Sequence, residues 1–115
     1  MIVFKKAYEV GMEIFEITKN FPKEEKYSLT DQIRRSSRSV TSNIAEAWAK
    51  RIYVKSFVSK LSDSLGERIR IRGLVGLFQR LPIINTETYN SLINKYNEVR
   101  KMLIAMINSP EKFCK

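Results

Sequence analysis

The stretch VFKKAYEVGMEIFEITKNF, residues 3–21, decides the fold class. Its apolar residues recur at alternating steps of four and three, which places them along one side of an α-helix, whereas a half-buried strand needs strict alternation. These positions are Val3, Ala7, Val10, Ile14, Ile17 and Phe21. A second apolar row predicts that a further flank of this helix is buried, and it consists of Phe4, Tyr8, Met12 and Phe15.

Three more helices are predicted downstream, over residues 28–50, 54–81 and 86–108. The second begins at the capping pattern Ser28-Leu29-Thr30-Asp31, and Asn85 or Thr86 is a good N-cap for the fourth. Small residues between 36 and 42 predict a close approach of a neighbouring helix. The short connections predict an all-α, antiparallel up-down-up-down four-helix bundle, with residues 1–115 as one domain.

The second half of the third helix is apolar nearly all round. Residues 68–72 alternate Arg and Ile, so a strand is a local rival there, but a lone strand would have no partner strand. A helix that is apolar all round must be covered all round, and in so small a domain we expect another subunit to supply the cover. The predicted interface residues are Ile69, Ile71, Leu74, Val75, Leu77, Phe78 and Leu81.

Residue types needed for common catalytic sites are scarce. The chain has no histidine and one cysteine, Cys114, and it lacks phosphate-cradling and dinucleotide-binding motifs. We therefore predict no catalytic site, no metal, no cofactor and no small-molecule substrate. A single cysteine suits a reducing cytoplasm, and no apolar run approaches the roughly 20 residues that span a bilayer.

Positive charge is in large excess, with 21 Lys and Arg against 12 Asp and Glu and a net charge of +9. Such an excess attracts polyanions, although a solvated basic surface is the plainer alternative. Trp48 and Tyr53 are interleaved with the basic residues, and aromatic rings can stack on unpaired bases. The predicted nucleic-acid-binding residues are Lys50, Arg51, Lys55, Lys60, Arg68, Arg70 and Arg72.

Glu46 is an acid that the sequence places on a helix rich in small residues. It follows Asn43-Ile44-Ala45 on the helix with small residues, where burial would require a basic partner. Arg34 or Arg35 could supply that partner across the bundle or across subunits, which predicts a structural ion pair rather than catalysis.

Three motifs carry a family resemblance: FPKEEKY at 21–27, LTDQIRRSS at 29–37 and SNIAEA at 42–47. The chain resembles the four-helix-bundle protein family first noticed as reading frames inside 23S ribosomal RNA intervening sequences, which is similar to the accessory protein of diversity-generating retroelements. The resemblance implies a homopentameric ring with a basic surface. Its retroelement relatives bind nucleic acid and a reverse transcriptase, so RNA or DNA and a reverse-transcriptase-like protein are the implied partners.

The sequence departs from this family pattern after Ser64-Leu65-Gly66-Glu67, where the resemblance implies a polar helix with further acids and a Trp-Leu pair. Residues 68–84 are instead rich in Arg and apolar side chains. Two functions stay open at this point. One is a nucleic-acid or ribonucleoprotein-binding accessory protein, and the other is a structural or assembly subunit, natural or engineered, whose third helix binds another chain.

Overall fold

The computed structural model describes residues 1–22 and 29–114, which form a four-helix bundle. The helices are α1 (Ile2–Thr18), α2 (Asp31–Ala49), α3 (Val54–Arg80) and α4 (Thr86–Asn108), followed by a short 3-10 helix (Pro110–Lys112). The described residues contain no strand, so the predicted all-α class is confirmed and residues 68–72 are helical. None of the helices in this part of the chain is both long and apolar enough to cross a membrane.

The helix ends follow local chemistry. The structure ends α1 at Thr18, because the chain then turns to bury Phe21, whose ring meets Phe78 edge-on with centroids 4.9 Å apart. The predicted capping pattern at Ser28 lies outside the described residues. At the start of α4, the side chain of Asn85 accepts a hydrogen bond from the backbone N–H of Thr88 at 2.7 Å, which satisfies an amide that the helix leaves unpaired.

The core is built from one stripe of each helix. Val3, Ala7, Val10 and Ile14 of the α1 seam are all buried. The small residues of α2 are used as the sequence suggests, because Ser36 and Ser37 are buried. Ser64 of α3 is also buried, and its hydroxyl donates to the carbonyl of Val40 at 2.9 Å. The hydrogen bond of Ser64 joins α3 to α2, whereas Ser37 lies beside Gly11 of α1.

The predicted subunit interface on α3 needs correction. Four of its seven residues, Ile71, Leu74, Val75 and Phe78, are buried inside the chain. Because α3 packs against both α2 and α4, its own chain covers more of its circumference than its composition suggests. The other three remain on the surface, with Ile69 62%, Leu77 38% and Leu81 47% exposed.

Candidate nucleic-acid interface

The turn between α2 and α3 brings cations and apolar side chains together. It is closed by a hydrogen bond from the backbone N–H of Tyr53 to the carbonyl of Lys50 at 2.9 Å. Residues 48–55 are named the α2–α3 corner here. Tyr53 is 63% exposed and Trp48 is 37% exposed, and Ile52 and Val54 also face solvent. An apolar and aromatic surface therefore lies beside the charges of this turn.

Arg51 and Trp48 hold each other in place at the corner. Nη1 of Arg51 donates to the carbonyl oxygen of Trp48 at 2.9 Å, and its guanidinium carbon lies 4.5 Å from the centroid of the indole. Within residues 1–22 and 29–114, no carboxylate forms a salt bridge with Lys50, Arg51 or Lys55. Three cations are thus left for external anions, next to rings on which unpaired bases can stack.

Two other predicted nucleic-acid-binding residues are paired with acids of their own chain. Nζ of Lys60 lies 3.1 Å from Oε2 of Glu46 and 3.8 Å from Oδ2 of Asp63. The hydrogen-bonding contact and opposite charge of Glu46 raise the pKa of Lys60, and the same contact lowers the pKa of Glu46. Nη1 of Arg70 lies 3.7 Å from Oε1 of Glu67. Each of these two cations therefore has an acid of its own chain beside it, which makes it less available to an external polyanion than the cations of the α2–α3 corner.

The last two predicted residues, Arg68 and Arg72, lie one turn apart on α3 and line an open cleft of about 700 Å³. We name it the α3–α4 cleft, and α4 completes it with Asn94, Asn97, Glu98, Arg100 and Lys101. Arg68 is only 6% exposed. Burial, and then the charges of Arg100 and Arg72, lower the pKa of Arg68. Thirteen residues of helix, about 20 Å, separate Arg68 from Lys55, so the seven predicted residues do not form one surface.

The predicted ion pair of Arg34 or Arg35 with Glu46 is wrong within the chain. Glu46 is exposed and pairs with Lys60 of α3. Nε of Arg34 donates to Oγ1 of Thr18 at 2.8 Å, and Nη2 of Arg35 lies 3.3 Å from Oδ2 of Asp31. The reason is axial distance, because 12 residues of α2, about 18 Å, separate positions 34 and 46.

A groove between α1 and α2 was not predicted as a site. Its wall is the second apolar row of α1, and Tyr8, Met12 and Phe15 of that row are 55%, 44% and 40% exposed. The guanidinium of Arg34 lies over the Phe15 ring, 4.6 Å from its centroid. The described residues do not bury this row as expected. The second apolar row of α1 is the sequence signal for this groove, whereas the predicted subunit contact lies on the third helix.

Comparison with known protein families identifies the family to which this chain belongs. The family described as 23S rRNA-intervening sequence protein matches residues 1–105. The chain belongs to this family. The resemblance seen in its motifs is therefore confirmed, while the relation to retroelement accessory proteins stays a prediction.

One solved structure resembles this 23S rRNA-intervening sequence family member over nearly its whole length. It is the 1.70 Å crystal structure of a protein with unknown function from the S23 ribosomal protein family of Bacteroides thetaiotaomicron VPI-5482. The two chains are 30% identical with a TM-score of 0.84, and the match covers 93% of this chain and 96% of that chain. The comparison with curated proteins finds no match.

Proposed function

We propose that this family member is a non-enzymatic, nucleic-acid-binding subunit of a cytoplasmic homo-oligomer. The α2–α3 corner carries the proposal, because it places three cations that form no salt bridge within the described part of the chain beside exposed Trp48 and Tyr53. The net charge of +9 supplies the long-range attraction that such a surface needs. The family name refers to 23S rRNA intervening sequences, so RNA is the ligand class to test first.

The proposed mode of binding follows from the two kinds of side chain at the corner. Lys50, Arg51 and Lys55 engage backbone phosphates, and such contacts carry no sequence information. Trp48 and Tyr53 stack on bases, which requires bases that are unpaired. The corner therefore favours single strands over duplexes and reads little sequence.

Fluorescence anisotropy of a labelled single-stranded RNA, with nuclease-treated protein, tests the corner. The double variant Lys50→Gln/Lys55→Gln is expected to weaken binding about tenfold or more and to flatten its salt dependence. Tyr53→Ala is expected to weaken binding about equally at low and high salt, because base stacking is little screened and contributes about 1–3 kcal/mol per base.

The matched control for the double variant is Lys19→Gln/Arg80→Gln. It also removes two positive charges, but at positions outside the corner. Arg80 lies 25 residues beyond Lys55, about 37 Å along α3. Equal losses of affinity in the corner and control variants would show that net charge alone attracts RNA, and the corner would then be excluded as the site.

The proposed assembly uses the bundle topology predicted from the sequence. Two cross-helix pairs support antiparallel packing of α1 and α4: Lys6 with Glu98 at 2.9 Å, and Glu13 with Lys95. From the first pair to the second, the residue number rises from 6 to 13 along α1 and falls from 98 to 95 along α4, as antiparallel helices require. The α1–α2 groove then offers the apolar contact surface for further copies, and a pentameric ring is the arrangement that the resemblance implies.

Size-exclusion chromatography coupled to light scattering tests whether the α1–α2 groove or α3 forms the contact between subunits. Met12→Asp is expected to reduce the oligomer to smaller species, because it places a charge in the groove wall. Ile69→Asp, at an exposed position of α3, is the control and should leave the mass unchanged. The reverse pattern would favour the alternative of an assembly subunit built on α3.

A further inference from the structure

The α3–α4 cleft holds an arginine whose surroundings do not balance its charge. Arg68 is only 6% exposed, and its Nε has no hydrogen-bond acceptor among residues 1–22 and 29–114. A buried donor without an acceptor is costly, and a buried charge without a counter-charge is more so. Native structures rarely retain such a group unless something outside the chain satisfies it.

The neighbouring charges increase the cost rather than relieve it. Arg72, Arg100 and Lys101 line the same cleft, which places four cations around one open volume. The acid among the lining residues is Glu98, and it accepts a hydrogen bond from Nζ of Lys6 at 2.9 Å. The contact with Lys6, and to a smaller extent the charges of Lys101 and Lys95, lower the pKa of Glu98, so this one carboxylate is shared between Lys6 and the cleft cations.

We propose that the α3–α4 cleft is a binding site for a phosphate group, with Arg68 at its base and Arg72, Arg100 and Lys101 around it. Guanidinium groups donate paired hydrogen bonds that match phosphate oxygens, and a lysine adds a compact charge. The amides of Asn94 and Asn97 supply further donors at the wall. The site is independent of the α2–α3 corner and does not rest on the function proposed there.

The lining residues favour a phosphate over an apolar peptide or a nucleobase. All seven are charged or amide side chains, so the cleft has no aromatic face for stacking and no apolar wall for a hydrophobic anchor. Two sources share this chemistry: a small phosphate compound that is free in solution, and the backbone of a nucleic acid.

Isothermal titration with pyrophosphate, in chloride buffer at constant ionic strength, tests the site on the full chain. We expect saturable binding with a Kd of about 1 mM or tighter. The variant Arg72→Gln/Arg100→Gln should raise that Kd at least about tenfold, and both positions are exposed, so the fold is kept. The corner variant Lys50→Gln/Lys55→Gln, which also removes two charges, should bind pyrophosphate as the natural chain does.

A second titration, with single-stranded RNA, distinguishes the sources. If Arg72→Gln/Arg100→Gln weakens both ligands, the cleft takes a backbone phosphate; if it weakens pyrophosphate alone, the natural ligand is a small phosphate compound. The proposal is overturned if pyrophosphate does not bind by 10 mM, or if the cleft and corner variants lose it equally. Loss of RNA binding in the corner variant alone concerns only the function proposed above.

Discussion

Replacing Arg68 by methionine is expected to stabilise the protein. Methionine keeps an unbranched apolar chain while it removes the guanidinium, whose Nε lacks an acceptor within the described residues. An unsatisfied buried donor costs about 1–3 kcal/mol, and relief of repulsion from Arg72 and Arg100 acts in the same direction. We therefore expect the free energy of unfolding to rise by about 1–3 kcal/mol, which for 115 residues raises Tm by about 4–12 °C.

Urea unfolding followed by circular dichroism, at one fixed protein concentration in phosphate-free buffer, measures this change. The matched control is Arg80→Met, the same substitution at an exposed position of α3, which should change stability by less than about 0.5 kcal/mol. If Arg68→Met destabilises the protein, or does not differ from the control, then Arg68 is not an uncompensated charge and the reasoning about the cleft is refuted.

Three further predictions concern the core, a helix cap and pH. Phe57→Ala removes a fully buried ring and should cost about 3–5 kcal/mol by urea unfolding; a loss below 1 kcal/mol would contradict its place in the core. Asn85→Ala removes the α4 cap and should cost about 1 kcal/mol, whereas exposed Asn90→Ala should cost less than half as much. Contact with Lys6 lowers the pKa of Glu98, so its stabilising contribution is present above the ordinary carboxyl pKa of about 4.3 and disappears as the pH falls through the lowered value. Urea midpoints of the natural chain and Glu98→Gln should therefore differ at pH 6 and converge near pH 2; a constant gap would argue against this contact.

The helical fold could be predicted because local signals and packing agree. The seam of α1 has a period that only a helix satisfies, and its members Val3, Ala7, Val10 and Ile14 are buried in the structure. The end of α1 was harder to predict. Phe21 continues the helical spacing of the apolar residues, but it lies beyond the helix and reaches the core through a turn, where it packs against Phe78. Periodicity shows which residues are buried, but it does not show whether a helix or a turn delivers the last of them.

The surface was harder to predict because composition does not reveal what covers it. The third helix is apolar on most sides, yet α2 and α4 of the same chain cover Ile71, Val75 and Phe78. The exposed row instead lies on α1, where Tyr8 and Met12 are 55% and 44% exposed. Basic residues that are close in sequence also separate in space, since each residue along a helix turns the direction of the side chain by about 100°.

Salt-dependent RNA binding by the natural chain tests the central claim most directly. Three phosphates engaged by the corner cations predict a slope of log K against log salt of about −2 or steeper for a single strand. Binding should be tight at 50 mM salt, should fall with this slope, and should weaken about tenfold or more when Lys50 and Lys55 are replaced. No binding at 50 mM salt, or an affinity that does not change with salt, would contradict it.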